Sequence, residues 1–81
     1  RGETEIVDTG NERVFGYFRT NGDHSVLVLA SFSEEPQTIE GTRLRLLGLR
    51  KSVVDLVAGR TIVAAHALEL EPYDFMILAR S

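Results

Sequence analysis

The stretch Val14–Ser33, VFGYFRTNGDHSVLVLASFS, decides the fold. Two apolar runs, Val14–Thr20 and Val26–Phe32, flank Asn21-Gly22. Asn and Gly tolerate the positive φ angles that tight hairpin turns demand, so the pattern predicts a β-hairpin. Side chains alternate along a strand. Phe15, Tyr17 and Arg19 therefore share one face of the first strand, and Val14, Gly16 and Phe18 the other. In the second strand Val26, Val28, Ala30 and Phe32 share a face opposite to Leu27, Leu29 and Ser31. A two-residue loop at Asn21-Gly22 and a four-residue loop at Asn21–His24 differ by two in register, so both keep the same faces together. In either register both faces are apolar, whereas a sheet with one wet face alternates apolar and polar residues. The hairpin is expected to be covered on both sides, once by the domain's own second layer and once by a further element or a partner domain.

Working outward, Ser33-Glu34-Glu35-Pro36-Gln37 reads as a turn, since Pro36 cannot sit in a central strand. Thr38-Ile39-Glu40 is a short strand candidate stopped by Gly41-Thr42. Arg43–Val57 is ambiguous. Leu46, Leu49, Val53, Val54 and Val57 fit a helical stripe, but Gly48 and the Val53-Val54 pair oppose it. The reading adopted is irregular structure or a short strand at Leu44–Leu47, then a strand over Val53–Val57 that turns at Ala58-Gly59-Arg60 into Thr61–Ala65. Ala67–Glu71 alternates, with Leu68 and Leu70 inward; Pro72 breaks it, and Tyr73–Ala79 forms the last strand. Residues 1–12 are polar with Gly2, Gly10 and Asn11 as breakers. They read as a linker, with Ile6-Val7 as a short strand at most, leaving 13–81 as the domain. Six to eight short strands between turn signals predict an all-β, antiparallel sandwich or small barrel.

At 81 residues the chain is one domain, able to bury roughly 60–65% of its unfolded surface. A net charge of -3 weighs against nucleic acid or an acidic membrane as partner. There is no cysteine, which excludes disulfides and thiolate metal sites. The apolar runs are too short to span a bilayer as helices. The start, Arg1-Gly2-Glu3, carries neither an initiator Met nor a leader pattern, so the chain reads as a fragment or a processed product, with the cytoplasm slightly favoured.

Side chains that could carry chemistry are few. His24 falls in the hairpin turn and His66 near a strand end, and neither has a second ligand at metal spacing. Glycosidic chemistry needs two carboxylates across a cleft. Glu34-Glu35 sit together in a turn, and Glu69 and Glu71 share one outward strand face. Ser31 and Ser33 lack a neighbouring base and a nucleophile elbow. Arg43, Arg45, Arg50 and Lys51 form the one basic cluster, which reads as solvated surface or a contact for an anion or a partner carboxylate. Arg13–Phe18 echoes the aromatic strand of RNA-binding domains, but the neighbouring strand offers aliphatics instead of a stacking surface. Sugar platforms favour flat exposed aromatics; the chain has no Trp, and Tyr17 and Tyr73 lie within apolar strands. No catalytic, cofactor-binding or metal residue is expected.

Three stretches together resemble the C-terminal domain of glycoside hydrolase family 13, the α-amylase family. Val14–Arg19 resembles its first strand, Val26–Ser33 its second, and Leu70–Leu78, with Leu70-Glu71-Pro72-Tyr73, its closing strand. Asp55-Leu56-Val57-Ala58-Gly59 is similar to the Asp-Leu-x-x-Gly hairpin between them. Within the family the likeness is nearest to amylosucrase and related sucrose-acting enzymes. The second strand commonly ends in Asn-Phe-Ser there; Ser31 stands in place of that Asn. The resemblance implies an antiparallel Greek-key β-sandwich packed against a catalytic (β/α)₈ barrel of the same polypeptide, with the catalytic carboxylates in the barrel. It implies a non-catalytic domain of an α-glucan- or sucrose-acting enzyme, with at most weak α-glucan contact and neither nucleic acid nor membrane as partner. Phe15, Tyr17, Val28 and Phe75 are the residues expected in the core or at the barrel interface. The alternatives are a stand-alone carbohydrate-binding module and a small nucleic-acid-binding β-barrel.

Overall fold

The computed structural model describes residues 3–22, 24–49, 52–63 and 66–80. The strands are β1 (Glu3–Val7), β2 (Val14–Asn21), β3 (His24–Ser31), β4 (Gln37–Ile39), β5 (Ser52–Asp55), β6 (Arg60–Val63), β7 (Leu68–Leu70) and β8 (Phe75–Arg80), with one helix, α1 (Gly41–Leu46), between β4 and β5. Six strands form an antiparallel sheet in the order β1-β2-β3-β8-β5-β6, and β4 pairs with β7 in a ribbon. Insertion of the last strand between β3 and β5 is the Greek-key crossover. The fold is thus an antiparallel β-sandwich whose second layer is a short ribbon supplemented by α1.

The central hairpin forms as expected. Tyr17 pairs with Val28 and Thr20 with Ser25, the register of the longer of the two loops considered, and a further pair, Asn21 with His24, closes it. Gly22 has φ +66°, which explains the glycine. The core lies between the layers. Leu27 and Leu29 from β3 and Met76 and Leu78 from β8 meet Ile39, Leu44, Leu49, Leu68 and Leu70 from the second layer. Each such side chain contributes about 1.5–3 kcal/mol on burial. The layers are also tied at one corner. Asn11 Nδ2 donates to Gln37 Oε1 at 3.0 Å and to the Thr38 carbonyl at 3.1 Å. Ser31 Oγ accepts from the Ser33 amide at 3.3 Å, and Ser33 Oγ accepts from the Glu35 amide and Gln37 Nε2, each at 3.0 Å. The short hydroxyls hold the β3–β4 turn.

Two expectations are corrected. Residues 1–12, read as a linker, are sheet over Glu3–Val7, which pairs along β2. An edge strand mostly exposed on both sides needs no apolar alternation, so its composition imitates a linker. Leu44–Leu47, read as irregular or strand, belongs instead to α1 and its C-cap. Gly48, taken as an argument against a helix, is what ends it. With φ +91°, it donates to the Arg45 carbonyl at 3.0 Å, while the Leu49 amide donates to the Leu44 carbonyl at 2.9 Å. That is a Schellman motif, and its accompanying apolar contact is the buried pair Leu44 and Leu49. The β5–β6 hairpin follows the expected course, with each strand beginning one residue earlier and β5 ending at Asp55 rather than Val57; Ala64 and Ala65, expected in its second strand, lie outside the described residues, as do Arg50 and Lys51 of the basic cluster. Among the described residues no helix is long and apolar enough to cross a membrane.

Candidate functional site

The face of the six-stranded sheet turned away from the core is apolar across its middle. Antiparallel register sets its side chains in rows. The first row is Ile6, Tyr17, Val28 and Ile77, on β1, β2, β3 and β8. It is extended by Leu56, whose amide donates to the Ile77 carbonyl at 2.8 Å. The second row is Phe15, Ala30 and Phe75. The third, Thr4, Arg19, Val26, Ala79, Val54 and Thr61, is polar toward its ends. The apolar rows therefore sit at one end of the face.

That end holds most of the chain's aromatic residues, two tyrosines and four phenylalanines in all. Phe15 is 42% exposed and Phe75 47%. Their partner Tyr17 is half-buried, its ring 5.8 Å from that of Phe15. Phe32, 68% exposed, continues the outward side of β3 between the buried Ser31 and Ser33. Tyr73, 64% exposed, occupies the turn before β8 with φ +56°. That left-handed backbone is held by the Asp74 carboxylate, which accepts from the Glu71 amide at 3.2 Å, and by the Tyr73 amide donating to the Ser33 carbonyl at 3.2 Å. Only Phe18 packs against the core. Aromatic side chains ordinarily dominate core energetics, so their placement outside the core sets this face apart from the aliphatic inner one.

The four residues expected in the core or at an interface, Phe15, Tyr17, Val28 and Phe75, all lie on this one face. Val28 is itself buried, in register between Tyr17 and Ile77, but is not part of the inter-layer core. Leu56 was not singled out from sequence. Its position comes from Asp55, 2% exposed, whose Oδ1 accepts from the Val57 amide at 3.0 Å and the Ala58 amide at 3.4 Å, with Arg60 Nε 3.8 Å from Oδ2. The Asp-Leu-x-x-Gly pattern was the signal for it. Gly59, with φ +71°, completes that turn.

A groove of about 330 Å³ runs beside the face, lined by Asp8, Thr9, Asn11, Glu12 and Phe15 among others. Asp8, Thr9 and Asn11 there serve the fold. Asp8 accepts from the Gly10 amide at 2.8 Å and lies 3.7 Å from Arg43; Thr9 Oγ1 donates to the Val14 carbonyl at 2.9 Å. Asn11 Oδ1 accepts from the Arg13 amide at 2.9 Å, and its Nδ2 binds β4 as above. Glu34, Glu35, Glu69 and Glu71 are all exposed, as is His66. No group of His, Asp and Glu among the described residues could hold a metal ion.

An antiparallel β-sandwich with a self-contained core and an uncovered aromatic face is the class that these features define. The chain belongs to the maltogenic amylase C-terminal domain family, whose family model matches residues 4–77. In three dimensions it is similar to AmyP in a maltose complex, with a TM-score of 0.75 and 20% identity over 98% of this chain. A maltotriose complex of an AmyP variant gives a TM-score of 0.74 at the same identity. The chain covers 16% of each of those chains.

Proposed function

We propose that this domain packs through its apolar sheet face on the catalytic (β/α)₈ barrel of the same polypeptide and stabilises it, in an amylosucrase-like enzyme acting on α-glucan or sucrose. The observation that carries the reading is the outward placement of every aromatic residue but Phe18. The matched amylase chains are far longer than this one, which leaves room in them for a catalytic domain. Interfaces between domains resemble the surface found here, with aromatic anchors among aliphatics and a polar rim. Its Thr4, Arg19 and Thr61 stand at that rim. Chemistry, whether hydrolysis or glucosyl transfer, belongs to the barrel under this reading. Residues 13–81, together with β1, form the appended domain.

The test is thermal unfolding of the full-length protein with Tyr17→Ser, which removes an outward ring without touching the inter-layer core. The expected result is an earlier loss of the catalytic activity on heating, with activity at low temperature retained. An unchanged inactivation temperature would overturn the reading.

A second reading is carried by Tyr73, whose exposed ring and left-handed backbone offer a stacking surface for a sugar. Relatives are described in complex with maltose and maltotriose. Retardation of the full-length protein in a gel containing soluble starch, lost in Tyr73→Ala, would support this contact.

A further inference from the structure

We infer that docking on the catalytic domain is centred at Ala30, where a hollow between two phenylalanine rings receives a single aliphatic or methionine side chain projecting from that domain. The inference rests on the docking reading above and specifies its site. Ala30 is in direct register with Phe15 on one side and Phe75 on the other. Strands lie about 4.8 Å apart, so the backbones that carry Phe15 and Phe75 stand about 10 Å apart across Ala30. Two apolar contacts of about 4 Å each fit that span around one inserted side chain. A larger residue at position 30 would fill it. Ala30 is the only small residue in the two apolar rows, and it is half-buried while the flanking Phe15 and Phe75 are each a little under half exposed.

The chemistry of the occupant follows from the walls. Val28 forms the next position along β3 and Phe32 the one beyond Ala30 on the same side. Neither row offers a charged group; Arg19 lies two positions along β2 from Tyr17, in the third row. A sugar hydroxyl pressed into this hollow would lose water without gaining a partner, whereas a hydrocarbon side chain loses nothing. The catalytic domain of the proposed function is the occupant because the chain matches only 16% of the longer chains that share this fold, which leaves most of such a polypeptide to lie against the exposed face. Aromatic residues around a desolvated centre are the composition of binding hot spots, which the surrounding face shields from water.

The experiment compares four variants of the full-length protein by calorimetry and by limited proteolysis between the domains. Ala30→Leu fills the hollow and Phe75→Ser removes a wall. Ile6→Ser alters the apolar face away from the hollow, and Thr61→Ser is the rim control. The expected result is that Ala30→Leu and Phe75→Ser each split one melting transition into two and speed interdomain cleavage roughly thirtyfold, the loss of a hot spot, while Ile6→Ser acts weakly and Thr61→Ser not at all. If Ile6→Ser and Phe75→Ser uncouple the domains but Ala30→Leu does not, docking stands and the hollow is overturned. If none of the four changes either readout, the docking reading itself is overturned. If Phe75→Ser leaves coupling intact and abolishes retardation by starch, the face is a sugar platform and both readings fail.

Discussion

Gly16 sits in β2 with an ordinary backbone but no room. A Cβ built there would lie 2.7 Å from Thr9 Cγ2, 3.0 Å from Leu29 Cδ2 and 3.2 Å from Val7 Cγ2. Thr9 cannot step aside freely, because its hydroxyl donates to the Val14 carbonyl. Gly16→Ala is therefore expected to destabilise the domain by about 1–3 kcal/mol, as overpacking does, and urea unfolding measures it. The contrast at Phe15, one residue earlier and on the opposite face, is instructive. Leu29→Ala, in the core, should cost about 2–5 kcal/mol. Phe15→Ala in the domain alone should cost about 1 kcal/mol or less, since much of that ring is already in water. Equal losses for the two would place Phe15 in the core and contradict the architecture.

At the scale of elements, α1 shows how a terminator can be mistaken for an obstacle. The segment 41–49 has a helix of six residues, no side-chain N-cap bond at Glu40, and a glycine cap. Gly48→Ala forces a side chain into the left-handed region and should cost about 1–2 kcal/mol, read as a lower melting temperature, while Gly22→Ala, with open space around it, probes strain alone at the hairpin. The long, patterned strands were legible in sequence: β2, β3 and β8 announced themselves by alternation and by Asn-Gly. The apolar character of both faces of the hairpin was legible too, from the alternation of its side chains. β1 was not, since an edge strand of Glu, Thr and Glu at its start carries no burial signal. α1 was not, since a helix this short buries chiefly Leu44, and the apolar stripe that the sequence offers starts at Leu46 and runs on through β5. Leu56 was hidden for another reason. Its place on the face depends on a buried carboxylate turn, a contact between Asp55 and two amides that no apolar pattern encodes.

Across the whole molecule, the two surfaces of one sheet differ in character, and under the proposed function they perform different tasks. The inner one, aliphatic and closed by the β4–β7 ribbon and α1, holds the domain together. The outer one contributes little to that and is free to hold something else. Stability of the domain and strength of docking should therefore separate under mutation. Substitutions at Leu27, Leu29 or Leu78 should lower both, and substitutions at Tyr17, Ile77 or Phe75 should lower docking with the isolated fold nearly unchanged, as circular dichroism melts of the domain beside calorimetry of the full-length protein would show. The same division has a spectroscopic consequence. Near-ultraviolet dichroism arises from aromatic rings held in fixed asymmetric surroundings, and this chain has no tryptophan, with only Phe18 packed inward. Taken alone, the folded domain should show a normal far-ultraviolet spectrum and a weak near-ultraviolet one carried chiefly by Tyr17 beside Phe15, close to the signature usually attributed to a molten globule. Here it would belong to a native state with a fixed core, and a sharp cooperative unfolding transition would tell the two apart.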